Sequence, residues 1–241
     1  MVRFPARLAS KLAKARIAQV FNSAPSGPLL HCVNPTEVLH AGAAAPVSRD
    51  KMRALVENPA PVIWIGGSEP LLHAGIGHFV RAFTQSGHCV FLETDGTALR
   101  RRIHEFQPLR ELFLTARLDS LEVPRFALAL ERLRAARLSG FFTAIYSPVH
   151  EGSDLTQLTA LRSFIKDIDG WLVTAASPDE AAVQRAAEAR GLILNSFWRH
   201  FSKHAEEALL SQTPLPELQN ARGFVTQSVS TDAAEEGVRI A

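Results

Sequence analysis

The sequence predicts a parallel α/β domain, and three observations carry that prediction. Short apolar segments rich in β-branched and aromatic residues recur along the chain. Amphipathic helical patterns separate them, and glycine or proline punctuates the joints. Neighbouring parallel strands need a crossover helix, so this alternation implies a parallel sheet, either open or curled into a barrel. Six βα units fit.

In chain order, strands are expected at 29–33, 62–65, 89–93, 112–118, 141–147 and 170–174. Helices are expected at 48–58, 71–86, 98–106, 124–138, 153–166, 178–190 and 196–211. Ser48 is placed to cap the first of these, and Ser177 followed by Pro178 to cap a later one. Gly87, Gly140 and Gly191 each follow a helix and precede the next apolar segment, where a left-handed residue without a side chain is needed. Residues 4–21 precede this series, with Phe4, Leu8 and Leu12 at fourfold spacing and a basic opposite face of Arg3, Arg7, Lys11, Lys14 and Arg16. Such a helix suits docking to an anionic membrane surface or an acidic partner; it equally suits a solvated cover over one end of the domain. Past Thr213, Pro214, Pro216 and a polar composition predict a loosely ordered tail.

The whole chain sets bounds. At 241 residues and 46% hydrophobic content, a single sizeable core is expected. The longest apolar runs fall well short of the roughly 20 residues that a spanning helix needs. Only two cysteines, Cys32 and Cys89, are present, which excludes a disulfide framework and fits a reducing, cytoplasmic setting. No apolar stretch of the secretory-signal type follows the first basic residues. A net charge of +2 gives no reason to expect a nucleic-acid partner. A P-loop, a G-x-G-x-x-G fingerprint and a G-x-S-x-G elbow are all missing, which removes several common enzyme classes.

The most informative segment is Val62-Ile-Trp-Ile-Gly-Gly-Ser-Glu-Pro-Leu-Leu-His73. An apolar strand empties into Gly66 and Gly67, then into Glu69 ahead of Pro70. Paired glycines let backbone approach a ligand closely, and the carboxyl ends of parallel strands are where ligands bind. Glu69 there could accept charge-assisted hydrogen bonds from an ammonium group. A plain alternative is a tight turn with Glu69 capping the following helix. The next strand ends in Thr94-Asp95-Gly96.

This order of strand, Gly-Gly-x-Glu-Pro-Leu-Leu, helix, strand and Thr-Asp-Gly resembles the central half of the radical S-adenosylmethionine (radical SAM) core. The resemblance is strong over 61–97 and rests on element order up to about residue 174. It implies a partial (β/α)6 TIM-like barrel over 28–195, flanked by a basic amphipathic N-terminal segment (1–27) and a C-terminal helix and tail (196–241). It also implies a cradle for the methionyl and ribose groups of S-adenosylmethionine (SAM) at Gly66, Gly67, Ser68, Glu69, Thr94 and Asp95. Asp95 stands where asparagine is commoner, so its ionised carboxylate can accept but not donate.

That family holds a 4Fe–4S cluster on Cys-x3-Cys-x2-Cys after the first strand. Here the loop reads His31-Cys-Val-Asn-Pro-Thr-Glu-Val-Leu-His40. One register offers Cys32, Thr36 and Leu39; the other offers Val33, Glu37 and His40. Neither supplies three thiolates, so the cluster is not expected. Cys32, Glu37 and His40, with His31 nearby, are ligand types that zinc accepts, at irregular spacing. His200 and His204 stand at i, i+4, a chelating spacing, though without the glutamate that follows the first histidine of zinc proteases.

Other residues invite shorter readings. Arg100, Arg101 and Arg102 would suit a phosphate or an acidic partner, or simply a solvated face. Phe141, Phe142, Tyr146 and Trp171 read as barrel core. Glu151 and Asp154 fall at the rim after the fifth strand. The function implied is an accessory or non-catalytic subunit, or ligand-binding module, partnered with a cluster-bearing radical SAM enzyme. Two alternatives remain open: a SAM- or nucleoside-dependent enzyme using polar chemistry, and a radical enzyme with atypical cluster ligands.

Overall fold

The computed structural model describes residues 4–20, 28–34, 49–67, 69–118 and 123–212. Ser48, Ser68, Glu37, His40, the 21–27 linker and the tail beyond Gln212 lie outside the described residues. Six strands form one sheet in the order β1-β2-β3-β4-β5-β6, every neighbouring pair parallel. They are β1 (Leu30–Val33), β2 (Val62–Ile65), β3 (Cys89–Thr94), β4 (Leu112–Arg117), β5 (Phe142–Val149) and β6 (Gly170–Ala175). The helices are α1 (Ala6–Val20), α2 (Arg49–Val56), α3 (Ile76–Gln85), α4 (Leu99–Arg102), α5 (Val123–Leu138), α6 (Leu155–Phe164), α7 (Glu180–Arg190) and α8 (Ser196–Gln212).

The strand order explains the curvature. Right-handed crossovers that always step to the next neighbour place every connecting helix on one face. The opposite face then closes on itself, so the sheet curls into a half-barrel rather than an open doubly wound sheet. β2, β3 and β6 are buried along their full lengths, because helices cover one face and the barrel contents cover the other.

Those contents are aromatic towards the amino ends of the strands. Trp64, Phe91, Phe113 and Phe142 stand in register on adjacent strands, with ring centroids 5.6, 4.6 and 5.5 Å apart. Trp198 and Phe201 of α8 pack on this row, at 6.3 and 5.1 Å from Phe91. α8 lies between the two edge strands, packing against both β6 and β1. Ser202 and Glu206 accept hydrogen bonds from the Val173 and Ala175 backbone N–H groups, covering the exposed edge of β6. Gly170 is required for this packing, since a Cβ there would collide with the Trp198 ring. The Glu206 carboxylate also meets Arg190 at 2.6 Å, both side chains buried. α8 is thus the element that closes the gap left by a six-stranded barrel.

α1 covers the end where the strands begin. Leu8 and Leu12 are buried, Arg7 pairs with Glu111 just ahead of β4, and Lys11 donates to the Gly87 carbonyl just ahead of β3. Phe4 meets Trp198 edge-on at 4.9 Å. Two residues of the basic face are therefore engaged within the domain.

Several sequence expectations need correction. The helix expected over 71–86 is a 3-10 turn, Pro70–Leu72, followed by α3. His73 accepts from the Gly75 N–H and interrupts the run. The helices expected over 98–106 and 153–166 likewise end as 3-10 turns, Ile103–Glu105 and Ile165–Asp167. The cap assigned to Ser177 falls instead on Asp179, whose extended backbone precedes α7; Ser177 Oγ donates to its carboxylate. Gly191 has a helical φ of −59°, whereas Gly87 and Gly140 are left-handed as expected. Among the described residues no helix is long and apolar enough to cross a membrane.

Candidate functional site

The two glycine-bearing turns singled out in the sequence meet at the carboxyl rim of β2 and β3. Glu69 Oε1 accepts from Thr94 Oγ1 at 2.8 Å, and Glu69 Oε2 accepts from the Asp95 N–H at 2.6 Å. Oε1 also takes the Leu71 N–H at 3.2 Å, so Glu69 caps the 3-10 turn as well. The capping alternative and the rim site are therefore the same carboxylate. Asp95 Oδ1 accepts from both the N–H and Oγ1 of Thr97, at 2.7 and 2.6 Å, while the residue stays exposed. Two carboxylates thus share one hydrogen-bonded corner. Burial pushes the Glu69 carboxyl above its ordinary range, the Asp95 and Thr94 hydrogen bonds draw it down, and the Asp95 charge adds to the rise.

The glycines are needed for reasons the sequence did not show. A Cβ on Gly66 would lie 2.6 Å from Glu93 Oε2 and 2.9 Å from Trp64 Nε1. Gly67 holds φ at +105°, and a Cβ there would lie 2.7 Å from the Asn34 side chain. The close approach at both positions is to the chain's own side chains.

Beneath the rim lies a polar layer that sequence reasoning missed. Glu93 is buried; its Oε2 accepts from Trp64 Nε1 at 2.7 Å and its Oε1 from Arg117 Nη1 at 3.1 Å. The Arg117 guanidinium also sits 5.9 Å from the centroid of the Tyr146 ring. Tyr146 in turn shares a 3.2 Å hydrogen bond with Thr174. The signal was present in Cys-Val-Phe-Leu-Glu-Thr, where a charge interrupts a strand buried on both faces.

Cys32 lies in register with Trp64, so β1 turns it to the same face. Burial, and then the Glu93 charge, pushes its thiol up to about 12. Cys89 is buried at the start of β3, and burial dominates the rise of its thiol to about 11. Two cysteines cannot furnish the three thiolates of the usual cluster motif. Among the described residues Cys32 and Cys89 are the cysteines present, and they lie on β1 and β3.

The remaining candidates separate from the corner. His73 serves the turn through the Gly75 N–H, and burial and then Arg102 hold its imidazole below the ordinary range. Arg102 is engaged with Glu105 and the His73 carbonyl, whereas Arg100 and Arg101 are exposed. Glu151 and Asp154 are exposed after β5, and Asp154 caps the Thr156 N–H. His31 is in β1, where burial lowers its imidazole. Among the described residues no three His, Cys, Asp or Glu side chains gather as a metal site.

No protein-family model matches the chain, and no curated protein matches it. Solved structures do. SuiB of Streptococcus suis bound to S-adenosylmethionine superposes with a TM-score of 0.53 at 16% identity, over 75% of this chain and 46% of SuiB. SuiB bound to its precursor peptide SuiA superposes with a TM-score of 0.55 at 15% identity, over 80% of this chain and 50% of SuiB. The chain spans about half the length of the structures it matches. At this identity the likeness is one of fold: the chain shares with SuiB a partial barrel, here of six parallel strands.

Proposed function

We propose that this chain is a radical-SAM-like ligand-binding module that takes SAM, or a closely related cationic nucleoside, at the rim of β2 and β3. It works as the non-catalytic partner of a cluster-bearing radical SAM enzyme. The observation that carries this reading is the Glu69–Asp95 corner, two carboxylates held together by Thr94 and the Asp95 backbone. SAM brings an ammonium and a sulfonium, and Glu69 retains lone-pair capacity beyond its three accepted bonds. Asp95 is exposed, and its carboxylate, bonded by Thr97 through Oδ1, is an acceptor for ribose hydroxyl donors. Gly66 and Gly67 lead into the turn that presents Glu69. The structures of SuiB with S-adenosylmethionine and with its precursor peptide support a nucleoside ligand and a peptide or protein partner for a barrel of this kind.

The protein's own thiols argue that radical generation belongs to the partner. Calorimetric titration with SAM tests the binding part. Heat of binding is expected with SAM, weaker with S-adenosylhomocysteine, which lacks the sulfonium charge, and lost in Glu69→Ala. Equal affinity for the two ligands, or no heat at millimolar SAM, sinks the reading. Iron and sulfide in stoichiometric amount after anaerobic isolation would sink the division of labour.

A further inference from the structure

α8 carries a second constellation that the rim does not use. His200 and His204 stand one turn apart, their rings perpendicular with centroids 4.5 Å apart. Their Nε2 atoms converge to 3.1 Å. Both residues are partly exposed, and His204 Nδ1 lies 3.4 Å from Glu207 Oε2. On the same helix Trp198, Phe201, Ser202 and Glu206 face the barrel and β6. The histidines therefore occupy a different flank of α8.

We propose that His200 and His204 form a two-imidazole chelate for a late first-row divalent cation: Zn2+, Ni2+ or Cu2+. Imidazole nitrogens suit these ions, whose affinities rise towards copper. With metal–nitrogen bonds of about 2.05 Å, two nitrogens 3.1 Å apart subtend about 98° at the metal, between the octahedral and tetrahedral values. The carboxylate of Glu207 supplies the outer-shell element such sites use. A proton held on His204 Nδ1 towards Glu207 leaves the Nε2 lone pair pointing at His200. In the metal-free protein His200 Nε2–H donates into that lone pair. On coordination His200 binds as its Nδ1–H tautomer, the proton passing from Nε2 to Nδ1 by exchange through solvent, and both Nε2 lone pairs turn to the metal. Two protein ligands leave the remaining positions to water or to a donor from another molecule. A metal there ties together one turn of the helix that closes the barrel seam, so binding stabilises the fold by mass action.

The test is titration of the untagged full chain with Zn2+ and Ni2+ alone, by calorimetry and by thermal unfolding. One site is expected, with a raised unfolding midpoint. Affinity should fall at least about tenfold in His200→Gln and in His204→Gln, and about tenfold in Glu207→Gln. X-ray absorption of the Ni2+-loaded wild type, which depends on no variant, should report two imidazole ligands. Unchanged affinity in either histidine variant, or an absorption spectrum with one imidazole or none, overturns the proposal. Unchanged affinity in Glu207→Gln overturns the orienting part of it. None of these readouts involves Glu69, so they stand or fall independently of the SAM reading.

Discussion

Replacing Glu69 by Gln keeps the shape of the side chain and removes one charge from a carboxylate that accepts three hydrogen bonds. The amide oxygen can retain the Thr94 and Leu71 donors on one side. Its NH2 then faces the Asp95 N–H, donor against donor, where the carboxylate had accepted at 2.6 Å. Losing one charge-assisted bond costs about 1.5–3 kcal/mol. Relief of the desolvated charge and of repulsion from Asp95 offsets part of that, leaving a net loss of about 1–2 kcal/mol. At this chain length that is about 2–8 °C in Tm.

The pH dependence carries the sign. A carboxyl whose folded pKa is raised binds more protons in the native state, so stability falls as pH climbs from the unfolded value, about 4.3, through the raised one. The amide of the Glu69→Gln variant cannot titrate, so the deficit of that variant should narrow as pH rises through that window. A cationic ligand favours the ionised carboxylate, so SAM affinity should rise with pH through the same window, with proton release on binding. Urea melts across pH and calorimetry in two buffers of different ionisation heat measure both. A deficit that widens with pH, or binding without proton release in that window, refutes the reasoning.

Arg117→Met removes the Arg117 ion pair from the buried Glu93, at a cost of about 1–3 kcal/mol once the partial exposure of Arg117 is allowed for. Adding Glu93→Gln should recover most of that loss; a double variant as unstable as the sum of the singles would show that the pair is not coupled. Both thiols should resist alkylation in the folded protein at pH 7.5 and react at once in denaturant, because burial holds Cys32 and Cys89 protonated. Rapid labelling of the half-buried Cys32 in the native state would contradict the raised thiol assigned to it.

Much of the fold was legible because its signals are local. Apolar runs such as Val62–Ile65 and Gly170–Ala175, separated by helical periods, specify parallel βα units, and their succession specifies a sheet with helices on one face. The helix expected over 71–86 misled because its apolar spacing runs straight through the break made by His73 and Gly75. Site geometry was half legible. Glu69 and Thr94-Asp95-Gly96 could be named from their turns, but their contact spans 25 and 26 positions.

The linear pattern by itself determined the six strands, their crossovers and the carboxyl-bearing turns, since each depends on neighbours a few residues apart. Only the tertiary structure decided how the barrel contents pair with one another. The pairing of Glu93 with Arg117, the dependence of Gly66 and Gly67 on Glu93 and Asn34, and the insertion of Trp198 against Gly170 join elements from separate parts of the chain. Burial sets the terms of each: a charge removed from water needs a partner, and a close-packed interior admits no extra methyl group. Neither requirement leaves a periodic trace in the order of the residues.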